Sequence, residues 1–305
     1  MEQVALVVGE ALVDVVKGRD GVERHHPGGS SANAAVALAR LGRPVALVTA
    51  FADDDNGRLL ADHLRENGVR LASDPLMLDR TATALATVAE SGAATYEFDV
   101  DWRLGAESLP AGTDPAVVVF GSLGAALDPG ARDVAALVEE HRPHALVVFD
   151  LNARPAITGT GPEVVARAEQ MAALADVVKA SDEDLDVLWP GQDHRVVAEA
   201  FLGRGAGVVI ITRGGEGACW FAASGEGEVA ASRTNVIDTI GAGDTVTAAV
   251  VDALWSFEVV GPGARERLRA LGATRWTAVL AHALRAAAVT VSRPGADPPR
   301  RADLA

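Results

Sequence analysis

The chain has 305 residues, 49% of them hydrophobic and 23% charged, the make-up of a globular protein with a large core. A formal net charge of −15 argues against a nucleic-acid or anionic-membrane partner, so any phosphate ligand must be held locally by backbone dipoles, Arg or a metal ion. Cys219 is the single cysteine and excludes an intramolecular disulfide, no apolar run approaches the roughly 18 residues that span a bilayer, and Met1-Glu2-Gln3 lacks a basic leader, so a cytoplasmic protein is expected.

Val4 to Val8 is a short apolar run ending at Gly9-Glu10 and predicts a buried strand. Leu12 to Val16 partly alternates, and a polar stretch leads to Pro27-Gly28-Gly29-Ser30-Ser31-Ala32-Asn33, whose serines are expected to cap a helix ending at Gly42. Val45 to Thr49 predicts the next strand, and Asp53-Asp54-Asp55 opens a helix with Gly68 past its end. Strand, helix, strand, helix is the order of a parallel sheet with crossover helices.

Residues Thr81 to Asp101 break that rhythm with two strand-like runs, Ala84 to Ala89 and Thr95 to Val100. With Leu12 to His26 they predict a small antiparallel lid, about 12–26 and 81–102, on a single domain spanning 1–305. The lid's outer face would meet water or a second subunit, so a homodimer through it is an expectation. Strands at Val117 to Phe120, Ala145 to Asp150, Val177 to Lys179 and Gly207 to Thr212 then alternate with helices from Pro129, Pro162, Ser181 and Asp193. Ala218 to Ala222 and Glu228 to Ala231 predict a hairpin. The last third is helical at Val246 to Phe257, Gly263 to Leu271 and Thr274 to Val289, and the Pro- and Arg-rich tail Arg293 to Ala305 is expected to be ordered only near a ligand.

Absent motifs narrow the chemistry. Lys17 and Lys179 are the only lysines, and neither completes a P-loop or a protein-kinase signature. The first strand is followed by Gly9 alone, without the GxGxxG of a dinucleotide fold, which counts against a dehydrogenase. His141-x-x-His144 has no accompanying Cys or carboxylate pattern and reads as a surface pair.

Val236-Ile237-Asp238-Thr239-Ile240-Gly241-Ala242-Gly243-Asp244-Thr245 is the stretch around which the chain is organised. An extended β-branched lead-in, a Gly-Ala-Gly turn and a helix place free N–H groups before an anion. Asp244 is then either a cap of that helix or a general base beside an anion hole.

Together with Gly9-Glu10-Ala11-Leu12-Val13-Asp14, Gly28 to Asn33, Asp150-Leu151-Asn152-Ala153-Arg154-Pro155 and Lys179 to Asp184, that stretch resembles the ribokinase-like (PfkB) carbohydrate kinases. Ser292 to Pro299 brings the chain nearest to the fructokinase branch. The resemblance implies a three-layer α/β/α fold with a mostly parallel sheet and a β lid, and transfer of the γ-phosphoryl group of ATP to a primary sugar hydroxyl, with fructose favoured. It implies Asp244 as base, with Gly241, Ala242 and Gly243 offering N–H groups to the developing charge. Asp14, Gly28, Gly29, Asn33 and Arg154 match sugar-side positions, and Tyr96 and Phe98 would complete the pocket from the lid. Lys179, Ser181, Thr212, Gly214 and Gly217 fall on the ATP side, and Asp184 would reach Mg²⁺ through water. Asp238 and the carbonyl of Ile240 resemble part of a monovalent-cation site, for K⁺. Ser181 and Asp184 replace the usual Asn and Glu of an N-x-x-E motif, and Leu284 stands where many relatives carry an Asn near adenine. A 2-keto-3-deoxygluconate kinase or another PfkB sugar or nucleoside kinase is the alternative; Glu97 and Asp99 are expected to repel the acidic substrate of the first. A catalytically silent sugar sensor is the alternative of another class.

Overall fold

The computed structural model describes residues 2–18, 21–88, 94–104 and 113–305, and of Glu2, Thr87, Val88, Ala94, Thr95 and Tyr96 the backbone only. Its frame is a nine-stranded sheet. From one edge the strands are Gly225–Val229, Ala218–Ala222, Val208–Thr212, Val177–Ser181, Leu146–Asp150, Thr113–Gly121, Glu2–Val8, Val45–Val48 and Arg70–Leu71. The seven from Val208–Thr212 onward pair in parallel, and the terminal hairpin is antiparallel.

Val4 to Val8 is buried at every residue, as a strand covered on both faces requires. Alternation along it feeds two separate cores. Ala5 and Val7 pack with residues of the helices Ser30–Arg40, Ala242–Ser256 and Ala273–Val291. Val4, Leu6 and Val8 pack with those of Gly130–His141, Pro162–Leu174 and His194–Gly203. The result is three layers, helix on sheet on helix. Strand order reverses between Glu2–Val8 and Thr113–Gly121, so a crevice opens beyond the carboxyl ends of these two strands.

A second sheet of four strands runs Glu23–Gly28, Leu12–Lys17, Thr83–Val88 and Ala94–Asp99. It consists of two antiparallel hairpins joined by a parallel pairing of their inner strands. Asp14 stands opposite both His26 and Ala84, and Ala84 opposite Phe98, so these residues form one row on one face. Period two puts Glu97 and Asp99 on the other face, where Asp99 pairs with Arg80 at 3.2 Å. The expected repulsion of an acidic substrate by Glu97 and Asp99 therefore falls.

One further expectation changes. Ser30 and Ser31 do not cap the first helix: its N-cap is Gly29, with no side-chain cap bond. In the lead-in to the glycine turn, Val236 and Ile237 are exposed. The tail after Arg293 is tied down by the pairs Arg40–Asp297, Arg293–Asp303 and Arg301–Asp252. No described helix is long and apolar enough to cross a membrane.

Candidate active site

The predicted residues converge at the carboxyl ends of the parallel strands. Gly241 adopts φ 75° and begins the helix Ala242–Ser256 with no side-chain cap. A Cβ there would meet that of Ala296 at 2.8 Å, so glycine is required both by conformation and by the tail lying against it. Asp238 pins the same turn, accepting from the Ile240 N–H at 3.0 Å and from the Gly295 N–H at 2.8 Å. Within the turn the Ala242 N–H donates to the Thr239 carbonyl at 3.2 Å, and the N–H groups of Gly241 and Gly243 are left for an outside anion.

Asp244 does not cap its own helix. Its Oδ1 accepts from the Ser30 hydroxyl at 2.6 Å and from Asn152 Nδ2 at 3.3 Å, and its Oδ2 accepts from Asn33 Nδ2 at 2.9 Å. The carboxylate is thus aimed by three side chains from two other segments, which is how a base is positioned and not how a helix is capped. Asn152 has φ 38°, a strained backbone at the end of a strand. Arg154 donates to Asn152 Oδ1 at 2.6 Å, which turns the amide's N–H groups toward Ser30 and Asp244.

Gly29 has φ 97°, and a Cβ on it would lie 2.7 Å from the Glu10 carbonyl oxygen. That close approach carries Asn33 and Ser30 to Asp244 and sets Glu10 beneath them. Glu10 is buried; Oε1 accepts from the Ser30 N–H at 3.2 Å and Oε2 from the Gly124 N–H at 2.8 Å. Burial pushes its pKa up to about 7, against backbone hydrogen bonds that lower it. Burial also raises Asp14, opposed by the charges of His26 and Arg154 and reinforced by Asp244. Asp14, Arg154 and Asp244 therefore share one field although they sit on separate elements.

Beside the glycine turn lies a cleft of about 560 Å³, lined by Lys179, Ser181, Asp184, Thr212, Gly214 and Gly243 among others. Gly217, Leu284 and Arg233 also line it. Lys179 is buried, with Nζ 3.0 Å from Asp150 Oδ1, and a Cβ on Gly243 would be 3.0 Å from that Nζ. Burial opposes its charge, and the carboxylates of Asp150, Asp184 and Asp244 outweigh burial and hold it protonated. One ammonium thus sits directly under the turn. Asp184 accepts from the Ser181 N–H and from the Ala153 N–H, both at 2.8 Å, while Ser181 Oγ accepts from the Asp184 N–H at 3.0 Å. The altered N-x-x-E motif is therefore a capping box, with Asp184 also tying down the Asp150–Asn152 segment. Phe98 is exposed on the second sheet, in the Asp14 row, and the side chain of Tyr96 lies outside the described residues.

The sequence pattern of the pfkB family carbohydrate kinases matches residues 4–302. The chain belongs to that family. It is a carbohydrate kinase, a phosphotransferase acting on a sugar hydroxyl, with a ribokinase-like fold. Among its relatives, a fructokinase of Rhizobium leguminosarum bv. trifolii is 35% identical over 82% of this chain and 79% of its own length. An aminoimidazole riboside kinase of Salmonella typhimurium is 32% identical over 78% and 76%. The crystal structure of a Xylella fastidiosa fructokinase with bound ATP superposes with a TM-score of 0.85 at 25% identity, covering 99% of this chain and 96% of that one.

Four contributors escaped the sequence reading as site residues: Glu10, Ser30, Asn152 and Asp150. All four lay inside the quoted motifs, and a polar residue at the carboxyl end of a parallel strand was the signal for Glu10 and Asn152.

Proposed function

We propose that this kinase transfers the γ-phosphoryl group of ATP to the primary hydroxyl of fructose, giving fructose 6-phosphate. The observation that carries the reading is Asp244, aimed by Ser30, Asn33 and Asn152 beside the amides of Gly241 to Gly243 and above a protonated Lys179. Asp244 takes the hydroxyl proton, the amides and the ammonium meet charge developing on the transferred group, and positioning supplies the rest. Asp14, with Asn33 and the approach at Gly28-Gly29, binds the sugar hydroxyls, and the four-stranded sheet closes over them as a lid. That sheet's open face is also where a homodimer would form.

ATP would occupy the cleft, with its phosphates over Gly214 and Gly243. Among the described residues no group of three or more His, Cys, Asp or Glu could hold a metal ion by itself. That suits Mg²⁺ shared between the nucleotide phosphates, water and one or two carboxylates, of which Asp184 is the nearest to the cradle's tether. When bound, the ion neutralises phosphate charge. A K⁺ ion would lie against Asp238 and the Ile240 carbonyl.

The identity to an aminoimidazole riboside kinase supports a second reading, a riboside as acceptor. Steady-state ADP release with fructose, ribose, aminoimidazole riboside and 2-keto-3-deoxygluconate separates them. Fructose is expected to give the highest kcat/KM; a preference for the riboside or the acid would replace the acceptor and leave the kinase assignment standing.

A further inference from the structure

We infer that Ser30 is itself a phosphoryl acceptor: with ATP bound and no sugar present, the enzyme phosphorylates its own Ser30 hydroxyl. The inference rests on the reading of Asp244 as base and of the cleft as the ATP site. Its support is the placement of one side chain. Ser30 Oγ donates to Asp244 Oδ1 at 2.6 Å, the contact that an acceptor alcohol needs with its base. The same oxygen accepts from Asn152 Nδ2 at 2.7 Å, and Asn152 lines the cleft together with Lys179 and Gly243. The Ser30 N–H is held by Glu10 Oε1. Nucleophile, base and orienting groups are thus all in hydrogen-bond reach, the arrangement of an activated serine.

Neighbouring hydroxyls are committed elsewhere. Thr245 Oγ1 lies 2.9 Å from Thr290 Oγ1, and Thr247 Oγ1 donates to Asp150 Oδ2 at 2.6 Å. Ser30 is only half-buried, so it is not sealed within the core. In the step, Ser30 Oγ attacks the γ-phosphorus and its proton passes to Asp244. The bond from the γ-phosphorus to the β–γ bridging oxygen breaks, and ADP leaves with that electron pair. The product phosphoserine heads the helix Ser30–Arg40, whose N-terminus has no side-chain cap, so its dipole and free amides favour the added charge. A sugar hydroxyl on Asp244 displaces Ser30 and protects it. Phosphoserine in turn occupies the acceptor's place and stops sugar turnover.

The test incubates the full-length enzyme with Mg²⁺ and γ-³²P-labelled ATP without sugar, and maps the label by peptide mass spectrometry. Label on Ser30 is expected, suppressed by saturating fructose and lowered about a hundredfold or more in Asp244→Asn. Mapping on the unmodified chain needs no folded variant, and Ser30→Ala should carry no label. A portion of the same enzyme not previously exposed to ATP is assayed for sugar turnover. Normal turnover with no label on Ser30, or with all phosphate released as inorganic phosphate, overturns the inference and leaves the kinase reading intact. Absence of turnover with every sugar, together with no label on Ser30, overturns that reading and the inference with it.

Discussion

The helix Ala242–Ser256 carries a buried carboxylate against each of its ends, and the two are treated in opposite ways. Near its start, Asp150 has one ammonium, Lys179, and the Thr247 hydroxyl. Near its end, Asp252 is held by Arg43 at 2.6 Å, His282 at 2.8 Å and Arg301 at 2.5 Å. Burial works against its charge, and the donors His282, Arg301 and Arg43 outweigh burial and hold its carboxyl far below the usual range. Asp252 is saturated with positive charge and serves to tie the tail, through Arg301, to the end of the first helix at the Leu41 carbonyl. Lys179, in contrast, faces Asp150 on one side and the glycine turn on the other, so part of its field is left for a ligand. The first end keeps its cation beside an open turn, whereas the second encloses its carboxylate in donors.

The sharpest test of the first end concerns Asp244, the proposed base. Asp244→Ala is expected to cut kcat about a thousandfold with ATP affinity nearly unchanged, since a general base is worth 10²–10⁴. Retention of a tenth of the turnover in rapid-quench assays would remove Asp244 from that role. Lys179→Met comes next, with kcat/KM for ATP falling about a hundredfold, the cost of one preorganised donor at a developing charge. It also leaves Asp150 unpaired, so the double variant Lys179→Met/Asp150→Leu separates the causes. If stability recovers in urea titrations and activity recovers with it, Lys179 is only a structural partner.

At the other end, Asp252→Ala strands three donors and should cost about 3 kcal/mol of stability, the penalty for breaking a buried ion pair. Turnover per folded molecule should stay within about threefold, because nothing at Asp252 reaches the cradle except through the tail. A hundredfold loss of kcat at unchanged fold would erase the distinction drawn between the two clusters.

Sequence alone revealed the sheet and the cradle because both are written locally: apolar runs of five residues, each followed by a polar motif at the strand's carboxyl end. It did not reveal what Ser30 does. A serine ahead of an apolar run reads as a cap by default, and only the fold shows that Gly29, at φ 97°, takes the cap position and leaves Ser30 to Asp244. The parallel joint between Leu12–Lys17 and Thr83–Val88 was equally hidden, since hairpin signals are local and this pairing spans two helices and two strands of the main sheet. Glu97 and Asp99 were legible and misread: period two already placed them on the face opposite Phe98.

The smallest expected effect concerns Glu10, whose shift has the opposite sign to that of Asp252. Its pKa rises from 4.5 to about 7 because burial disfavours the carboxylate, so the folded chain binds this proton more tightly than the unfolded chain. The stabilisation is complete below about pH 4.5 and fades as pH rises through about 7, a loss on the order of 2 kcal/mol between about pH 5 and pH 8. Asp252 contributes the reverse: stability present above its unfolded value of 3.8 and lost only in strong acid. Glu10→Gln removes the titration. Its absolute stability is a poor readout, because the amide's NH₂ would face the Ser30 or the Gly124 N–H that a carboxylate oxygen now accepts. The slope is the readout: urea unfolding at a series of pH values should show the wild type losing stability relative to Glu10→Gln as pH rises from 5 to 8. Parallel curves for the two proteins would mean that Glu10 is ionised throughout, and that the switch-point crevice is wetter than the fold implies.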